Sequence, residues 1–184
     1  MATPALALLA LLLARIPGPA PAPRPAPLLP SLRAGLLAGA AFLPLGIGVL
    51  LLQQWIYPLL DWSIVPQPLV LEALRGDGAT FLLVCLAALV VAPLFEEMLF
   101  RVHLHAGLRA FLGPSATAVL TAALFALSHP RDAVPVTFLL GLCLADLRER
   151  TGGRTAPIAM HACYNAFQVG GMLLLRLGGN PGGG

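Results

Sequence analysis

The sequence predicts an all-α protein, a polytopic integral membrane helical bundle of about five to six transmembrane helices. Three observations predict it. Of the 184 residues, 58% are hydrophobic and only 10% charged, where a soluble domain carries about 25% charged residues. Mean hydropathy is +0.87. The apolar residues fall into long runs of nearly the length, about 20 residues, that a spanning helix needs, and proline, glycine and charge separate those runs.

Taken in order, Thr3–Ile16 is short for a span and lacks the basic start of a signal peptide, so it is read as a membrane-inserted first helix. The stretch "PGPAPAPRPAPLLP" (17–30) reads as a polyproline linker. Residues 1–31 thus form an N-terminal hydrophobic segment and linker, 32–177 a membrane-embedded domain, and 178–184 a glycine-rich tail expected to be disordered. Within the domain, Leu32–Leu60, Ala79–Phe100 and Ala156–Leu177 are long enough to span. Ser115–Ser128 and Ala133–Leu147 are shorter, as if tilted or packed inside the bundle. Cys85, Cys143 and Cys163 lie in apolar runs without CxxC spacing and read as small buried hydrophobes.

The formal net charge is +3, and every basic residue is Arg. A charge so small, spread over loops, suits orientation in a lipid bilayer and points away from nucleic acid. If the two shorter runs each cross, Arg15, Arg24, Arg33, Arg109, Arg148, Arg150 and Arg154 share one side, and Arg75, Arg131 and Arg176 the other. The first set is expected to face the cytoplasm. The expected location is the bacterial cytoplasmic membrane.

Ionisable groups inside a membrane are costly and default to function. Three clusters carry them. In "APLFEEMLFR" (92–101), Glu97 and Arg101 are four apart and share a helix face, so they can pair. Glu96 points about 100° away without a local partner, which suits a general base or acid. Pro93, one turn earlier, frees a backbone carbonyl. The plainer reading is a helix that has reached the interface. In "FALSHP", Phe125 and His129 share a face and Pro130 ends the helix. In "HACYN", His161 and Asn165 share a face, where a helix–helix hydrogen bond would be the plain use. Glu96 lies 17 residues before the turn at Gly113-Pro114 and His129 15 after it. An antiparallel hairpin brings them within about 3 Å of one depth at about 1.5 Å per residue. His161 reaches that depth if the 102–114 segment protrudes by about two turns. His103 and His105 read as interfacial.

"EEMLFR", "FALSH" and "HACYN", in this order, match EExxxR, FxxxH and HxxxN patterns. They resemble the CPBP family of intramembrane proteases, which comprises the CAAX prenyl endopeptidases and the Abi relatives linked to bacteriocin processing and immunity. The resemblance covers about residues 79–170, with Val102 where the family often has Gly. It implies an intramembrane endopeptidase acting on a peptide or membrane-protein substrate. Glu96 and His129 would activate water, His161 and Asn165 would form the oxyanion hole, and Glu97 and Arg101 would support the site. Family members are described both as glutamate-dependent and as metal-dependent. Glu96, His129 and His161 offer a His₂Glu zinc set, but no HExxH is present, and water activation without a required metal is preferred. Two other classes compete. A non-catalytic scaffold or immunity protein has no reason to bear the desolvation of these groups. A transporter or proton channel predicts polar residues continuing along a pathway.

Overall fold

The computed structural model describes residues 24–62 and 68–178. The Thr3–Ile16 run, residues 17–23 of the linker and residues 179–184 of the tail lie outside the described residues. Helix α1 is Leu28–Leu59, α2 Pro68–Arg75, α4 Pro114–Leu127, α5 Val134–Thr151 and α6 Thr155–Gly178. Helix α3 runs as one rod over Gly78–Arg109. Three helices, α1, α3 and α6, are long and apolar enough to cross a membrane, and α4 is a shorter apolar helix. Their outer faces expose large hydrophobic side chains such as Leu82, Leu83 and Phe95, as expected where lipid replaces water.

Two boundaries correct the sequence reading. The sequence reads as linker through Pro30, but α1 starts at Leu28. Pro30 then lies in the first turn, where the missing N–H has no helical partner to lose. The span read as ending at Phe100 continues to Arg109. Arg101 and His105 are buried, so the bundle, not solvent, receives the polar end of that helix. At its start, Asp77 caps α3 by accepting from the Thr80 N–H at 2.7 Å. That hydrogen bond holds the Asp77 carboxyl below the ordinary carboxylate range.

Helix α1 buries a stripe of Ser31, Gly35, Gly39, Phe42, Gly46, Gln53 and Tyr57, spaced three, four or seven apart as one face requires. It packs parallel to α6. A Cβ on Gly35 would stand 2.7 Å from Ala159 Cβ, and one on Gly39 2.7 Å from Cys163 Cβ. Small residues let the backbones approach where apolar burial gives no drive in lipid. Gly39→Leu is therefore expected to lower stability by about 1–3 kcal/mol through overpacking. Gly48→Leu is the control, since a Cβ there meets nothing within 4 Å. Thermal midpoints in detergent compare them.

Helices α4 and α5 pack against each other across the short connection 128–133. They touch closely at Gly141, where a Cβ would lie 3.0 Å from Ala122 Cα and 3.3 Å from Phe125 Cδ1. Helix α5 ends at Gly152, which has φ 63° and donates its N–H to Arg148 O; glycine takes that left-handed turn without strain. Helix α5 meets α1, α3 and α6, and the buried core joins Phe42, Phe100, Phe125, Leu140, Leu144, Met160 and Tyr164. Cys85, Cys143 and Cys163 are unpaired and half-buried.

Contacts sort the arginines by end. Segment 24–26 meets the turn after α5 through Ala26 N–H to Thr151 O, which gathers Arg24, Arg148, Arg150 and Arg154 there. Arg176 donates to Ala73 O in α2 at 2.6 Å, at the opposite end of α6.

Candidate active site

Helices α3 and α6 run antiparallel, and four contacts set their register. Arg154 meets Met98 Sδ at 3.9 Å, His161 meets Glu97, Asn165 meets Ala88 and Arg176 lies over Phe81. The start of α6 is thus level with Met98, and α3 projects past it by about 16 Å at about 1.5 Å per residue. That projection brings His161 to the depth of the glutamates. His105 corrects the interfacial reading. It is buried, with Nδ1 3.3 Å from Thr121 Oγ1 and Nε2 2.8 Å from Glu149 Oε1, because α4 and α5 flank the projecting arm. His103 is exposed.

Helix α3 is wound unusually around the two glutamates. Ala87–Val91 and Met98–Leu104 are π-helical, a form that recurs as single-turn bulges at functional sites. Ala92 donates its N–H back to Ala87 O, five residues away. Pro93 has no N–H, so the next carbonyl, that of Ala88, loses its donor. Asn165 Nδ2 supplies it at 2.8 Å. Pro93 was the sequence signal for this orphan carbonyl; its partner on α6 was not legible.

Glu97 and Arg101 form the expected i,i+4 pair at 3.3 Å, both 0% exposed. Arg101 Nη2 also donates to Gly141 O at 3.2 Å, and its guanidinium lies 4.6 Å over the Phe125 ring. Glu97 Oε1 accepts from His161 Nδ1 at 3.0 Å. Phe125 is fully buried between these groups, with the His129 ring tilted against it at 4.7 Å and His161 edge-on at 5.7 Å. In the sequence Phe125 is one position of the FxxxH pattern; the structure makes it the shared wall of both histidines and Arg101.

Glu96 and His129 are different: they are 29% and 23% exposed, so they form the open mouth over a closed floor. His129 Nδ1 faces the Phe125 carbonyl at 2.8 Å. A carbonyl only accepts, so Nδ1 carries the hydrogen and Nε2 of the neutral ring has the lone pair. That Nε2 stands 3.9 Å from Glu96 Oε2. His161 Nε2 stands 3.8 Å from the same oxygen, and Glu96 Oε2 has no hydrogen-bond partner. The structure thus brings Glu96, Glu97, Arg101, His129 and His161 together, with Asn165 one turn beyond His161 and tied to α3.

Ser128 is not a nucleophile in this arrangement. Its hydroxyl donates to Phe125 O at 2.7 Å, and the His129 Nδ1 it adjoins carries a hydrogen rather than a lone pair.

The His₂Glu donors have the right chemistry for zinc, and Glu97 behind His161 is the kind of carboxylate that orients a metal-bound imidazole. Their spacing is wider than ligation needs. Zinc bonds of 2.0–2.1 Å place tetrahedral ligands about 3.3 Å apart, against 3.8 and 3.9 Å here. Among the described residues no three His, Cys, Asp or Glu side chains are placed to hold a metal ion.

No curated protein and no solved structure matches the chain. Residues 78–167 match the family described as type II CAAX prenyl endopeptidase Rce1-like. That interval runs from the start of α3 to two residues past Asn165, so it contains all six candidate site residues and the hairpin that joins them. This chain is an integral membrane protein of the CPBP/CAAX protease family.

Proposed function

We propose that the protein is an intramembrane endopeptidase in which Glu96 and His129 share one water. The observation that carries this is the convergence of His129 Nε2 and His161 Nε2 on Glu96 Oε2, with both Nδ1 atoms already engaged. A water between Glu96 Oε2 and His129 Nε2 donates a hydrogen to each and keeps a lone pair for the scissile carbonyl carbon. As its oxygen bonds to that carbon, Glu96 takes the proton and the carbonyl oxygen becomes an oxyanion. The proton then passes to the leaving nitrogen as the C–N bond breaks.

The oxyanion needs donors. Asn165 has two N–H hydrogens and gives one to Ala88 O, which leaves the other. His161 donates from Nε2 only as an imidazolium, because Glu97 holds its Nδ1–H. In the metal reading Glu96, His129 and His161 would instead be ligands, and the metal would supply Lewis acidity and an ionised water; the wide donor spacing supports the water reading.

The substrate is a peptide or a membrane-protein segment that reaches the mouth from the bilayer. We place the arginine-rich end of the bundle in the cytoplasm, in a bacterial cytoplasmic membrane. The scaffold or immunity reading leaves the buried Glu97–Arg101–His161 set without a purpose. A proton pathway draws on the second polar group, His105, Glu149 and Arg109. Among the described residues, however, no hydrogen bond joins Arg101 to His105.

The test uses wild type, Glu96→Ala and His129→Ala in vesicles. A farnesylated CAAX-type peptide and an unprenylated membrane segment serve as separate substrates, each with and without a chelator. Cleavage by the wild type alone, indifferent to chelator, is expected. Equal cleavage by all three proteins discards the catalytic assignment. Wild-type activity that chelator abolishes and zinc restores establishes the metal mechanism instead.

A further inference from the structure

Gln53 is buried deep in α1, 6% exposed, in a span where an amide side chain is costly without a task. It lies outside the three motif clusters. Its Nε2 donates to Asp132 O at 2.6 Å, joining residues 79 apart in sequence. It donates also to Tyr57 Oη one turn along α1. Asp132 belongs to the connection between α4 and α5, which also carries His129.

A second contact holds the same connection from the same helix end. The Arg131 guanidinium sits 3.7 Å over the Trp62 ring, and Trp62 packs edge-on against Tyr57 at 5.5 Å. Trp62 reaches back because the chain reverses after α1: Trp62 donates its N–H to Tyr57 O at 2.9 Å, and Asp61 takes φ 55°. That left-handed conformation carries a strain for a non-glycine residue. The end of α1 is therefore shaped to grip a loop whose only motif residue is His129.

We propose that Gln53 is a positioning residue for His129. It acts through the Asp132 carbonyl: donation from Gln53 fixes where the loop leaves α4, and so where His129 Nε2 stands relative to Glu96. His129 is anchored on its other side by Phe125 O, so the imidazole is held between α4 and the α1 clasp. This inference rests on the role of His129 proposed above.

The test is Gln53→Met in vesicles. Methionine keeps the length and volume of the side chain in a lipid-compatible form but donates nothing. If Gln53 positions His129, kcat falls about tenfold and KM stays within twofold, because the water and not the substrate loses its partner. On a His129→Ala background, Gln53→Met then has no further effect on the residual rate, as coupled residues require. A residue that merely fills space gives wild-type kcat in Gln53→Met, and that result overturns the proposal. So does an equal loss on both backgrounds. Gln53→Asn keeps the amide but falls short by a methylene, and is expected to lose kcat as well; a wild-type kcat there also overturns the proposal, and it answers the question if the methionine variant does not fold. Glu96→Gln in the same assay separates the two levels. If it cleaves like the wild type, the catalytic reading has failed. If it is inactive while Gln53→Met is unimpaired, only the positioning role has.

Discussion

Glu96→Gln is expected to lower kcat about a thousandfold, within the range general-base catalysis supplies, while KM and thermal midpoint stay near wild type. Glutamine has the shape of glutamate, and position 96 is at the half-open mouth of the site, so folding loses little. What disappears is the ability to take a proton. The amide also presents N–H or C=O to the two Nε2 atoms that converge there, so a water can still bind while its activation fails. His129→Ala should cost about a hundredfold, and the double variant should cost little more than Glu96→Gln alone, since partners acting on one water are not additive. Single-turnover cleavage in vesicles measures all three. A Glu96→Gln enzyme within tenfold of wild type would remove Glu96 from the chemistry.

Arg101→Met is expected to be the most destabilising single change. It leaves Glu97 ionised, fully buried and without its cation. Breaking a buried ion pair from one side costs about 3–5 kcal/mol. It also removes the donor to Gly141 O and the cation over Phe125, which link α3 to α5 and α4. Glu97→Gln has the converse effect, stranding Arg101. The double variant Glu97→Gln/Arg101→Met should regain much of the stability, because neither buried charge remains. It should not regain activity, since His161 loses the carboxylate that holds its Nδ1–H and so orients its ring. Unfolding in detergent, followed beside the cleavage rate, separates the two effects. A double variant as unstable as Arg101→Met would mean that the pair contributes through packing and not through charge.

Much of this architecture is written in local features of the chain. The apolar runs bounded by Gly113-Pro114, Pro130 and Gly152-Gly153 mark the helices because proline and glycine act on the backbone where they stand. Glu97 and Arg101 could be paired from spacing alone, since four residues make one turn of helix. The depth match of Glu96 with His129 followed from counting residues along a hairpin, and the two now stand 3.9 Å apart.

Other features depend on which helix lies beside which. The α3 span outlasts its apolar run because α4 and α5 bury His105 and Arg101, and nothing in residues 101–109 announces those neighbours. Pro93 declares a carbonyl without a donor, but that Asn165 answers it is decided by the antiparallel register of α3 and α6. The tautomers of His129 and His161 are set by Phe125 O and Glu97, one in the preceding turn and the other 64 residues away. Along the chain Gln53 is indistinguishable from its neighbour Gln54, and only the packing of α1 against the His129 loop sets it apart. The helices, the glutamate–arginine pair and the family motifs are legible along the chain because they arise from short-range backbone and side-chain rules. The ring orientations of the two histidines and the clasp on His129 come from packing. Those depend on contacts between distant segments, whose distances and angles no spacing along the chain encodes.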